Sequence, residues 1–163
     1  MAVQQERGVA VFDLDGTLAD VRHRLSHIEG GRRDWDAFFR AAVDDPPLEE
    51  GVRLARQWAA TCDLAYVTGR PERCRRDTER WLAGQGLPQG ALWMRPADDR
   101  RPARETKPQL LRELAREREV AVVVDDDRQV CDAYRAAGFP VAEADWMARA
   151  PLLEQAQEES GRT

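Results

Sequence analysis

Residues Val120 to Asp127 read "VAVVVDDD". Five apolar residues without a polar break suit a strand buried on both faces, the kind found inside parallel sheets covered by helices. The run then delivers three carboxylates at once. Val9 to Asp20, "VAVFDLDGTLAD", repeats the design: a short apolar run drives into Asp13 and Asp15, and a Gly16-Thr17 turn follows.

Further runs at Leu64–Val67, Ala91–Met94 and Phe139–Ala142 predict three more strands. Helical stripes lie between them: Leu48, Val52, Ala55 and Ala59, then Cys74, Thr78, Trp81 and Leu82. Leu110, Leu111 and Leu114 mark a third stripe, and Val130, Ala133, Tyr134 and Ala137 a fourth. Strands alternating with helices predict an α/β fold, a doubly wound, Rossmann-like parallel sheet. One domain is expected over residues 1–150, followed over 151–163 by a helix and polar tail that frays and carries no function. Pro71 and Pro108 each suit the first position of a helix, which would set Arg70 and Lys107 just ahead of helix N-termini.

The stretch from about residue 20 to residue 47 breaks the alternation. Its Trp35, Phe38, Phe39, Ala42 and Val43 repeat as one helical face, predicting a small helical cap inserted after the first strand. His23 and His27 flank Arg24 in what reads as a solvated loop, and Trp35 is the one tryptophan placed to stack on a base.

Composition narrows the function. A net charge of -5 argues against non-specific nucleic-acid binding by the whole surface. No apolar run approaches the roughly 20 residues of a membrane span, and "MAVQQERG" lacks an export signal, so a cytoplasmic protein is expected. Cys62, Cys74 and Cys131 have no metal or disulfide spacing and read as reduced thiols. From Arg70 to Lys107, ten basic residues face six acidic ones, which suits either an anionic substrate or a solvated helix face. Of the 25 basic residues 24 are Arg, so the single Lys107 invites its own explanation.

Ligands of open α/β sheets bind beyond the carboxyl ends of the strands. There the chain sets Asp13 and Asp15, then Thr68-Gly69-Arg70, then Asp125-Asp126-Asp127 after the fourth strand, with Lys107 ahead of the helix that leads to that strand. Clustered carboxylates repel, and a hard cation such as Mg2+ relieves them while holding phosphate oxygens. One carboxylate can attack phosphorus to form an aspartyl-phosphate, and another two residues on can act as acid and then base. Gly16-Thr17 would bring backbone N–H groups to a phosphate, Thr68 would donate to one of its oxygens, and Lys107 would neutralise charge. Asp127 reads as the start of a helix rather than as a ligand.

In order, "DLDGT", "VTGR", Lys107 and "VVVDDD" resemble the four motifs of the haloacid dehalogenase superfamily of phosphohydrolases. The resemblance implies a phosphatase with Asp13 as nucleophile, Asp15 as acid/base, and Mg2+ held by Asp13, the Asp15 carbonyl and Asp125, with Asp126 completing the motif pair. More narrowly, "DWDAFF", "VTGRPE", "TERWL", "LWMRP" and "DDDRQVCDAYRAAG" are similar to the phosphatase domain of bacteriophage-type polynucleotide kinase–phosphatases, which remove 3′-phosphates from nucleic-acid ends. That similarity implies Arg24 and Arg70 as phosphate contacts beside Gly16, Thr17 and Gly69. Ala103 stands where such relatives carry an Asp four residues before the lysine, and Glu105 or Asp99 would have to substitute. No G-x-x-x-x-G-K-[ST] phosphate loop occurs, so a separate kinase or ligase is the implied partner. The small cap implies an open site that admits a polymer end or a metabolite. The competing expectations are therefore a small-molecule phosphatase, such as a 5′-nucleotidase or biosynthetic phosphatase, and a non-catalytic binder of phosphate ends.

Overall fold

The computed structural model describes residues 6–163; most of the polar start read above as lacking an export signal lies outside them. Five strands, β1 (Val9–Phe12), β2 (Asp63–Pro71), β3 (Ala91–Arg95), β4 (Val120–Asp125) and β5 (Val141–Glu143), form one parallel sheet in the order β3-β2-β1-β4-β5. Alternation along β1 sends Ala10 and Phe12 to one face and Val9 and Val11 to the other. The first face packs on α2 (Glu49–Ala59) and α3 (Arg75–Gly84), the second on α4 (Ala103–Ala115) and α5 (Arg128–Ala136). The sheet is doubly wound. From β1 the chain winds outward to β2 and β3, then returns to β4 on the other side, so the crevice beyond β1 and β4 is the topological switch point.

The insert folds as a 3-10 turn over Arg22–His27, α1 (Trp35–Arg40) and a second 3-10 turn over Ala41–Asp44. Phe38, Phe39, Leu25 and Ile28 form a separate small core with Met147 and with Leu153 of α6 (Pro151–Glu158). The expected helical face stops short of Val43, which is exposed. Tightening from α to 3-10 after Arg40 changes the angle per residue and turns Val43 outward.

Three local expectations are corrected. Pro108 lies inside α4, which starts five residues earlier at Ala103, with Pro102 accepting the first amides from Glu105 and Thr106. A proline there costs one backbone bond, which burial of Leu110, Leu111 and Leu114 offsets. Pro71 closes β2 and precedes a 3-10 turn (Glu72–Cys74) instead of opening an α-helix. The final residues do not fray: Leu153 and Ala156 of α6 are fully buried, and so is Thr163 beyond them. Among the described residues no helix is long and apolar enough to cross a membrane.

Candidate active site

β1 and β4 end side by side, the Asp13 amide donating to the Val124 carbonyl at 2.9 Å. This register sets Asp13 beside Asp125 and Asp126, and one carboxylate oxygen from each lies within 4.8 Å of the others. Lys107 is not ahead of a helix but in the second turn of α4, from which it reaches into the crevice. Its Nζ donates to Asp13 Oδ1 at 2.8 Å and to Asp125 Oδ2 at 2.7 Å. Burial opposes the lysine charge, but Asp125 and Asp13 win and raise its pKa well above the ordinary value.

One lysine does not balance three carboxylates. Burial and the Asp13 charge push Asp125 up to about 7, against the pull of Lys107. Asp126 is also pushed well up by burial and by both neighbours; its two oxygens are buried without a hydrogen-bond partner, and Arg149 stands 3.8 Å away. A buried carboxylate left unpaired is costly, and a small divalent cation with an oxygen-ligand preference fits this donor set. Gly16, at φ 85°, closes the β1 turn against Asp126, where any Cβ would collide with that carboxylate. Thr17 donates to Asp13 Oδ2 at 3.3 Å, and the Trp146 ring N–H fixes the Thr17 carbonyl at 2.8 Å.

Asp15 faces the other way, out of the carboxylate trio. Arg24 Nη2 donates to its Oδ1 at 2.9 Å and Arg70 Nε at 3.0 Å. Burial alone would raise the Asp15 pKa, but the Arg70 and Arg24 charges overcome it and hold the carboxyl well below its usual range. Both guanidiniums also bind Asp45, Arg24 Nε at 2.8 Å and Arg70 Nη2 at 3.0 Å. Thr68 accepts from the Arg70 amide at 3.1 Å, which leaves its own hydroxyl proton free to donate.

All the residues expected at the site therefore converge at the strand ends, but the expected openness does not hold. Asp13, Asp15, Thr68, Arg24, Arg70 and Lys107 are each at most 3% exposed. His23 is no free loop residue either; it lies in the first 3-10 turn with Nε2 2.7 Å from Asp45. Asp127 caps α5, accepting from the Gln129 amide at 2.9 Å. Neither suggested substitute for the acid at Ala103 binds Lys107: Asp99 pairs with Arg101 and accepts from Thr106, and Glu105 is exposed.

The sequence reading missed four residues. Asp45 organises both arginines and has its carbonyl held by the Trp81 ring N–H at 2.9 Å. Its one signal was an acidic pair directly before Pro46-Pro47 at the end of the insert. Arg149 and Thr163 reach the site from segments with no motif. Arg95 is fully buried beside it, and burial pulls its pKa down to about 10.

The fold and the strand-end carboxylates define a haloacid dehalogenase-like hydrolase. Within that class, the chain belongs to the polynucleotide kinase PNKP phosphatase domain family, whose model matches residues 8–146, and it is a phosphoric monoester hydrolase. Among solved structures it is similar to a chain of a Pnkp1/Rnl/Hen1 complex, at 25% identity and a TM-score of 0.70. The match covers 86% of this chain and 47% of that one, so this chain spans about half its length. A haloacid dehalogenase-like hydrolase from Streptococcus pneumoniae shares the fold at 12% identity and a TM-score of 0.62, over 94% of this chain and 92% of its own. The HAD hydrolase YfnB from Bacillus subtilis, solved bound to magnesium, does so at 11% identity and a TM-score of 0.58, over 84% and 88%. No curated protein sequence matches the chain.

Proposed function

We propose that this chain is a Mg2+-dependent 3′-phosphatase acting on nucleic-acid ends through an aspartyl-phosphate. The observation that carries the chemistry is the Lys107 ammonium bridging Asp13 and Asp125 while Asp126 accepts no hydrogen bond. Membership of the polynucleotide kinase phosphatase family and likeness to the Pnkp1/Rnl/Hen1 chain support the substrate, and also a separate kinase or ligase as partner.

In the first half-reaction Asp13 attacks phosphorus, the bond to the 3′-oxygen breaks, and Asp15 gives that oxygen its proton. In the second, water attacks the same phosphorus, its proton passes to Asp15, and the bond to Asp13 breaks. Thr68 and the Gly16-Thr17 turn hold the phosphoryl oxygens, with Gly69 as the bare backbone beside them. Mg2+, held by the Asp13 and Asp125 carboxylates, the Asp15 carbonyl and Asp126 directly or through water, would neutralise phosphoryl charge. Arg24 and Arg70, which keep Asp15 ionised, are also the groups that would grip the phosphate. Drawn onto the phosphate, they would release Asp15 to take up a proton from solvent, and that proton is the one it gives to the 3′-oxygen.

The metal assignment makes a stability prediction. A carboxylate whose folded pKa is raised lends stability that is present below about pH 4 and lost as pH rises through about 7 for Asp125. The melting temperature in chelator should therefore fall from pH 5 to pH 8, and Mg2+ should restore more of it at pH 8. The Asp126→Asn protein in chelator should melt a few degrees higher, roughly 2–4 °C per kcal/mol relieved, and respond weakly to Mg2+. Equal Mg2+ shifts at both pH values would remove the cation from the trio.

The substrate assignment predicts that a 3′-phosphorylated oligonucleotide is hydrolysed more efficiently than the matching mononucleotide. Binding of the oligonucleotide should also weaken more steeply with salt, since each neutralised strand phosphate releases counterions. Arg24→Ala should impair both substrates. Equal efficiencies and equal salt slopes would make this a small-molecule phosphatase.

A further inference from the structure

The residues after α6 enter the active site. Gly161, at φ 56°, turns the chain so tightly against the Arg100 carbonyl that any Cβ there would collide with it. Thr163 follows, packed on the bare Cα of Gly69 and only 2% exposed. Its hydroxyl donates to Asp15 Oδ2 at 3.2 Å, and its backbone oxygen accepts from Arg95 Nη2 at 3.3 Å. Polar ties hold the segment behind it: Glu158 accepts from Arg104 at 2.7 Å, and Gln155 from Arg33 at 2.9 Å.

Hydrolysis of a phosphomonoester releases an alcohol, and the acid/base carboxylate is the group that has just given that alcohol its proton. A hydroxyl donating to Asp15 is therefore the arrangement of the leaving group at the end of the first half-reaction. Thr163 supplies that hydroxyl from within the chain. Asp15 is only 2% exposed with Thr163 in contact, so a substrate end and Thr163 compete for one place.

We propose that Gly161–Thr163 is an internal plug, with Thr163 standing in for the leaving alcohol, and that the segment must swing out before a phosphorylated end can enter. The proposal rests on the phosphatase reading and adds its regulation. A site blocked in its dominant state binds with an affinity reduced by the fraction that is open. Arg95 Nη2 loses its Thr163 partner on opening, which leaves a buried guanidinium N–H facing the vacated space, suited to an anionic group of the incoming strand.

The test uses two unplugged forms, Gly161→Val and removal of residues 161–163, neither of which alters a residue assigned to catalysis. Their KM for p-nitrophenyl phosphate and for a 3′-phosphorylated oligonucleotide should fall by at least about fivefold, without loss of kcat. A readout independent of turnover comes from hydrogen exchange: in the full chain, the amides of residues 161–163 should lose protection when orthovanadate saturates the site with Mg2+ present. Folded variants with unchanged KM, or amides that stay protected under saturating vanadate, would overturn the plug. Lower KM for p-nitrophenyl phosphate without any preference for the oligonucleotide would sustain the plug and reject the 3′-end substrate.

Discussion

The Asp13→Asn protein should fold and bind phosphate yet lose turnover by at least about 10⁴-fold, the scale on which enzymes lose activity with their nucleophile. The amide fills the same space, and its oxygen can still accept from Lys107, whose Nζ lies 2.8 Å from Asp13 Oδ1. Folding should not suffer, because the substitution removes one of three mutually repelling buried carboxylates. What the amide cannot do is form an acyl-phosphate. Phosphate release, measured alongside the melting temperature, separates the two effects. A folded variant with near-normal turnover would end the covalent mechanism.

Lys107→Arg should be almost as damaging although it keeps the charge. The Lys107 ammonium fits between two carboxylate oxygens 2.7 and 2.8 Å away in a fully buried slot. A planar guanidinium is larger, donates in a fixed fork, and would displace either Asp13 or Asp125. The expected loss is about 10²-fold or more in kcat, comparable to removing one preorganised donor from a charged transition state. The chain itself argues the point, since it uses Arg at 24 of its 25 basic positions and Lys only here. Near-normal kinetics for this variant would make that choice a coincidence.

The sheet was legible because its strands are apolar runs of the right length ending in polar clusters. Val9–Phe12 matches its strand residue for residue, and Val120–Val124 falls one residue short. The weak fifth run was displaced to Val141–Glu143, an edge strand whose three residues are too few to show a period. The start of α4 was hidden for a different reason. Proline is so rare inside helices that Pro108 read as a boundary, whereas packing of the leucines after it carries the helix through.

At the site, the residues at the strand ends were legible and those that pack around them were not. Asp13, Asp15, Lys107 and Asp125 sit at strand ends or in known motif order. Asp45, Arg95, Arg149 and Thr163 acquire their places only when distant segments meet. Arg95 lay hidden among many arginines, and its burial depends on carbonyls from Gly69, Arg101 and Thr163. Thr163 lies 148 residues from Asp15, and nothing in a polar tail announces that it will fold back.

The central claim is the release of phosphate from nucleic-acid 3′ ends. Its most direct test is phosphate release from matched oligonucleotides carrying a 3′- or a 5′-phosphate, with Mg2+ and with excess chelator. The account predicts rapid release from the 3′-phosphate strand with Mg2+, little from the 5′-phosphate strand, and none from either in chelator. Equal release from both ends, or full activity in chelator, would contradict it.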